Sequence, residues 1–187
     1  MPFAAVLDAS VLYPLPLRDT LLRMAEAELY DLRWSAQILD EVSRNLVTDR
    51  RATEAQAQRL IDLMTEAFDG AAVPRPAIDK LEPSMTNHPK DRHVLAAAVA
   101  GDAQAVVTLN LKDFPSEACE AFNVEALHPD EFLLDLYGLA PATVHAALTR
   151  QAATLRRPPM TLNDLLDRLA VTAPAFADAV RTSLSAT

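Results

Sequence analysis

Phe3-Ala4-Ala5-Val6-Leu7-Asp8-Ala9-Ser10 is the stretch on which the reading of this chain turns. An apolar run stops abruptly at a carboxylate. A strand buried on both faces shows a continuous hydrophobic run rather than an alternating one, and such strands belong to parallel sheets. Phe3 to Leu7 is therefore expected to be a buried parallel strand that presents Asp8, Ala9 and Ser10 at its carboxyl end. Outward from it, Leu17 to Leu29 has helical spacing through Leu17, Leu21, Leu22, Met24, Ala25 and Leu29. Asp31 to Trp34 reads as a second short strand. Ser35 opens a helix as its N-cap, with Leu39, Val42, Leu46 and Val47 on the apolar face. Thr53 caps a further helix that reaches Phe68. Gly70 to Asn87 is proline-rich and irregular, with Ala71 to Val73 as a strand fragment.

Asp91 to Ala100 follows Pro89 and is strongly helical, and Gly101 ends it as a C-cap. Ala105 to Leu109 is another buried strand. Pro115 to Phe122 is a short helix, Val124 to Leu127 a last strand, and Pro129 to Tyr137 a helix. Strands alternating with helices up to about Leu139 predict the α/β class, a three-layer α/β/α sandwich with a mostly parallel central sheet. After Pro141 no strand signal remains. Ala142 to Leu155 and Thr161 to Leu184 read as helices, with Arg156, Arg157, Pro158 and Pro159 as the hinge between them. The expected division is an α/β domain over residues 1–139 and a C-terminal helical extension over 140–187. Leu162, Leu165, Leu166, Leu169 and Val171 give that extension a packing face.

Composition narrows the class. The chain has 187 residues, half of them hydrophobic and 23% charged, which suits a packed core and argues against wholesale disorder. The single cysteine, Cys119, builds neither a disulfide framework nor a thiolate metal site. Met1 to Leu7 lacks the basic start of a signal peptide, and no apolar run reaches membrane-spanning length, so a soluble cytoplasmic protein without a membrane partner is expected. The net charge of −9 counts against a broad non-specific grip on nucleic acid, because phosphate binding draws on cationic surfaces. A small acidic site remains compatible, since bound divalent ions invert the local field.

Ligands of open parallel sheets bind outside the carboxyl ends of the strands. Asp8 is expected at one such end, and Asn110 and Asp113 just after another. Asp91 begins the helix that feeds the second strand, and Glu41 lies on the helix opened by Ser35. Converging carboxylates of this kind are the ligands that Mg2+ and Mn2+ prefer, and without a cation the cluster is strained by like charge. Each residue also has a bland reading. Asp8 and Asn110 suit turns, Glu41 a solvated helix face, Asp91 the dipole at a helix start, and Asp113 a cap for the helix at Pro115.

Four segments decide between these readings together. Ala5-Val6-Leu7-Asp8-Ala9-Ser10, Ser35-Ala36-Gln37-Ile38-Leu39-Asp40-Glu41-Val42, Pro89-Lys90-Asp91-Arg92-His93-Val94-Leu95-Ala96-Ala97-Ala98 and Val107-Thr108-Leu109-Asn110-Leu111-Lys112-Asp113-Phe114-Pro115 resemble, in order and in rough interval, the acidic motifs of PIN-domain ribonucleases. The resemblance covers Phe3 to about Leu127. It implies a PIN-like fold and Mg2+ or Mn2+ held by Asp8, Glu41, Asp91 and an acidic residue of the fourth motif. Asn110 stands where some relatives carry Asp. Asp113 supplies the carboxylate here, directly or through water, with Asn110 as an orienting partner. The resemblance further implies a VapC-like endoribonuclease toxin of a type II toxin–antitoxin system, with RNA as substrate, an antitoxin protein as partner and a homodimer as assembly.

Ser10 and Thr108 are candidate hydroxyl supports for the carboxylates. Lys90, Arg92 and His93 flank Asp91 and are candidate RNA contacts. The competing classes fit less well. An aspartyl-phosphate hydrolase needs Asp at the second position after the nucleophile, where Ser10 stands. A dinucleotide-binding domain needs a glycine-rich loop after the first strand, and none follows Asp8. A non-catalytic PIN-like interaction module is the alternative, motivated by the acidic charge and the helical tail.

Overall fold

The computed structural model describes residues 3–154 and 159–185. In chain order the elements are β1 (Ala4–Leu7), α1 (Ala9–Leu12), α2 (Leu15–Glu26), β2 (Asp31–Arg33), α3 (Ala36–Thr48), α4 (Glu54–Ala67), α5 (Arg75–Leu81), α6 (Arg92–Ala100), β3 (Ala105–Val107), α7 (Ser116–Glu120), β4 (Glu125–Leu127), α8 (Pro129–Leu139), α9 (Pro141–Thr154), α10 (Leu162–Leu169) and α11 (Pro174–Ser185). They gather into two compact units. One comprises Met1–Tyr13 with Tyr30–Leu127, the other Pro14–Leu29 with His128–Thr187.

The first unit holds the sheet, in the order β2-β1-β3-β4, with every pairing parallel. Ala5 stands between Leu32 on one side and Ala105 on the other, and Val107 pairs with Leu127. All residues of β1 and β3 are buried, as strands covered on both faces must be. Parallel neighbours need crossovers, and here helices supply them. The α/β/α arrangement expected from the sequence is thus the one adopted. From β1 the sheet extends to β2 on one side and to β3 on the other. The crevice outside the carboxyl ends of β1 and β3 is therefore the switch point where such sheets bind ligands.

Several elements depart from expectation. The stretch from Gly70 to Asn87 contains α5 and a 3-10 turn over Glu82–Ser84. Pro74 stands at its N-cap and Pro76 in its first turn, where a missing N–H costs no hydrogen bond. The strand fragment there reduces to a single bridge between Trp34 and Ala72. β3 stops at Val107, two residues early, because the Leu109 and Asn110 N–H groups donate to the hydroxyls of Ser10 and Thr108. Gly101 does cap α6, but with φ −95, outside the left-handed region. Crowding explains the glycine: a Cβ there would lie 2.8 Å from Val73 Cγ2 and 3.0 Å from the Ala97 carbonyl oxygen.

The second unit is helical. Phe132, Leu133, Val144, Leu148, Leu165 and Phe176 are among its buried residues. The Asp130 carboxylate accepts from the N–H groups of Ala175 and Phe176 at 3.1 and 2.8 Å, which satisfies the first turn of α11 from α8. Thr161 to Leu184 is two helices rather than one, because the residue before Pro174 avoids helical backbone. Leu165, Leu166 and Leu169 are buried, whereas Val171 is 83% exposed and leaves the expected packing face. Within the second unit α8 packs with α9 and α11. Of the expected hinge, Arg156, Arg157 and Pro158 lie outside the described residues, as does Leu155. Among the described residues no single helix is long and apolar enough to cross a membrane.

Candidate active site

Asp8 follows β1 directly, and its backbone N–H donates to the Val107 carbonyl at 3.1 Å, so the ends of β1 and β3 are tied at the carboxylate. The side chain is buried, 4% exposed. Oδ1 accepts from the Ala9 N–H at 2.7 Å, a capping bond that satisfies a free donor at the start of α1. Oδ2 accepts from Ser10 Oγ at 2.7 Å and from Thr108 Oγ1 at 2.8 Å. Each hydroxyl has one proton. With both given to Asp8, the 3.2 Å approach of the two hydroxyl oxygens carries no hydrogen bond of its own. Their lone pairs accept the N–H groups of Leu109 and Asn110 at 3.0 Å each. Ser10 and Thr108 thus lock Asp8 in one rotamer and turn the chain out of β3.

Glu41 reaches the site from α3, whose start is fixed by Ser35 Oγ accepting the Ile38 N–H at 3.2 Å. Asp91 closes a 3-10 turn, Pro89–Asp91, at the head of α6 and makes no side-chain capping bond. Asp113 ends a second 3-10 turn, Leu111–Asp113, and the helix after Pro115 likewise has no side-chain cap. The capping reading of Asp113 therefore fails, while Asp91 does stand at the start of α6, where its charge also suits the helix dipole. A cleft of about 550 Å³ is lined by Glu41, His88, Asp91, Asn110 and Asp113, with Arg44, Lys90 and Lys112 as its cations.

The electrostatics show that these groups share one field. Burial, then the charges of Asp8 and Asp91, pushes Glu41 above the usual carboxylate range, and Arg44 opposes this. Asp91 is raised by burial and by Asp8 and Asp113, against the pull of His88. Crowded carboxylates of raised proton affinity are a donor set that fits a divalent cation, which relieves their repulsion. One donor atom from each of His88, Asp91 and Asp113 also falls within 4.8 Å of the others.

The remaining expected residues divide. Asn110 and Lys90 line the cleft. Arg92 does not line it, and its Nε donates to the Asn87 carbonyl at 3.4 Å. His93 lines the cleft as well, although it is only 3% exposed, and burial holds its imidazole below the ordinary range. Sequence reasoning missed His88, Arg44 and Lys112. Arg44 stands one helical turn from Glu41, a spacing that places both on one face and was available as a signal. It also missed Asn87, 2% exposed, whose amide atoms make no hydrogen bond.

Comparison with known proteins accords with this geometry. Residues 129–182 match the VapC50 C-terminal domain. A protein of Mycobacterium tuberculosis described as "Putative ribonuclease VapC50" is 45% identical over 98 residues, which cover 52% of this chain and 58% of that relative. The match thus spans little more than half the relative's length. No solved structure matches significantly. Residues 4–112 match the PIN domain, and this segment contains β1, α3, α6 and β3, the elements that bring Glu41 and Asp91 within reach of the Asp8 charge; the chain belongs to the PIN domain family.

Proposed function

We propose that this protein is a metal-dependent endoribonuclease that hydrolyses RNA phosphodiester bonds and serves as the toxin of a toxin–antitoxin pair. Asp8, Glu41, Asp91 and Asp113 would hold Mg2+ or Mn2+. The observation that carries the reading is the gathering of Glu41 and Asp91 near Asp8 at the switch point of the sheet, where burial and then the Asp8 charge raise the proton affinity of both. When bound, a divalent ion supplies a water acidic enough to attack at neutral pH and a charge that neutralises the phosphodiester.

The chain's own groups supply orientation. Ser10 and Thr108 aim Asp8, and the rigid ends of β1 and β3 carry that aim to the cleft. Lys90, Lys112 and Arg44 offer donors to phosphate oxygens along the cleft wall. The nuclease is assigned to residues 1–139 and an accessory helical role to 140–187. The name of the mycobacterial relative supports the ribonuclease reading. An antitoxin protein as partner, a homodimer and a cytoplasmic location complete it.

The test is cleavage of a labelled structured RNA pool with Mn2+, Mg2+ or EDTA, wild type beside Asp8→Asn. Metal-dependent cutting should fall by about 100-fold or more in the variant, the scale of losing one charge-stabilising group. Undiminished cutting by a folded Asp8→Asn protein would refute the assignment. The net charge of −9 favours one other reading, a non-catalytic interaction module. Folded wild type that neither cuts RNA nor binds Mn2+ or Mg2+ would favour it over the nuclease.

A further inference from the structure

His88 has a place in the site that its sequence position conceals. Pro89 restrains the residue before it, and His88 sits at φ −52, ψ 131. From there its backbone N–H donates to the Asp113 carbonyl at 3.0 Å, and its own carbonyl accepts the Asp91 N–H at 2.9 Å. His88 thus staples the turn that carries Asp91 to the turn that carries Asp113.

The imidazole repeats this on the side-chain level. Nδ1 lies 3.3 Å from Asp91 Oδ2. It also accepts the Lys90 N–H, at 3.4 Å. With the ring protonated this contact is an ion pair; with the ring neutral, Nδ1 and Asp91 Oδ2 both present lone pairs that one cation can accept in the proton's place. One donor atom of His88, one of Asp91 and one of Asp113 lie within 4.8 Å of each other. Six-coordinate ions with bonds of about 2.1 Å hold neighbouring donors about 3 Å apart and opposite ones about 4 Å apart, so small side-chain movements close the triad on one ion. The ring is half exposed and stands on the cleft wall, open to an entering ion.

We infer that His88 is a ligand of the ion held by Asp91 and Asp113, giving an otherwise all-oxygen site one nitrogen donor and a preference for first-row transition ions over Mg2+. Imidazole adds affinity for transition ions, whereas Mg2+ keeps to oxygen and water. The inference rests on the metal-dependent reading above and adds to it a residue and a selectivity.

Mn2+ is the probe, used with the full chain. Titration followed by the electron paramagnetic resonance of free Mn2+ gives the affinity. Electron spin echo modulation of the bound ion reports directly whether a nitrogen-14 nucleus is coordinated. Wild type should show that modulation, and His88→Gln, with an unchanged circular dichroism spectrum, should lose it. The Mn2+ dissociation constant should rise about tenfold or more in the variant, while Mg2+ binding by calorimetry changes little. Mn2+ bound without nitrogen modulation, or modulation that persists in His88→Gln, overturns the role of His88 and leaves the nuclease reading standing. Folded wild type that binds no Mn2+ removes both.

Discussion

Asp8 is held more tightly than any other carboxylate of the site, and the hold is divided between two hydroxyls. Thr108→Val removes one of them with little change of shape, and it also strands the Asn110 N–H. Stability should fall by ~1–2 kcal/mol, measured by urea unfolding, for the loss of a buried bond and its dependent partner. Mn2+ affinity should fall about tenfold, as when the support of a ligand is lost. An isotherm identical to wild type would reduce Thr108 to a purely structural role. Glu41 makes the opposite case, since its charge opposes folding. Its proton affinity is raised in the native state, so the native state binds more protons than the unfolded chain. Stability in EDTA therefore declines as pH climbs from the ordinary carboxylate range through the raised native value. Glu41→Gln should raise the thermal midpoint at pH 7 and flatten that decline, read by calorimetry across pH 4–8. A lower midpoint in the variant would mean that the electrostatic strain is not there.

At the scale of elements, the join between α6 and β3 depends on an absent side chain. Gly101→Ala should destabilise by ~1–3 kcal/mol, because the new methyl group meets Val73 Cγ2 and the Ala97 carbonyl. The double variant with Val73→Ala should lose less than the sum of the two single losses, a coupling read from denaturation midpoints; strict additivity would show that the two groups do not touch. Elements of this kind mark the border of what the amino-acid sequence discloses. β1, β3 and the cap at Ser35 are legible because an unbroken apolar run and a hydroxyl before an apolar face each have one physical meaning. Helix α5 is not, since Pro74 and Pro76 make its opening look like loop. Asp8, Glu41, Asp91 and Asp113 are read as a set because four segments in order resemble the acidic motifs of PIN-domain ribonucleases, while each residue alone has a bland reading. His88 is silent by the same logic. A lone histidine before a proline looks like loop, and only the closure onto Asp113 gives it company.

On the whole molecule, charge sets how the proposed RNA substrate would be met. The chain carries −9, and the cleft offers Arg44, Lys90 and Lys112. A single-stranded RNA that meets three cations should bind with a slope of about −2 in log affinity against log salt. Fluorescence anisotropy with the Asp8→Asn variant and Mn2+ measures it. A slope of about −5 or steeper would require phosphate contacts well beyond the cleft. The same molecule has a history set by its pairing. The bond between Asp8 and Thr108 joins residues 100 positions apart, and β1 has β3 as a neighbour across the same gap. A chain leaving the ribosome presents its first strand early and must wait for the other half of its pairing to be made. Asp8 and Glu41 exist for most of that interval without Asp91 and Asp113. On the proposed function, a nascent chain is thus harmless to RNA beside it and becomes competent to cut only when synthesis of its sheet is nearly done.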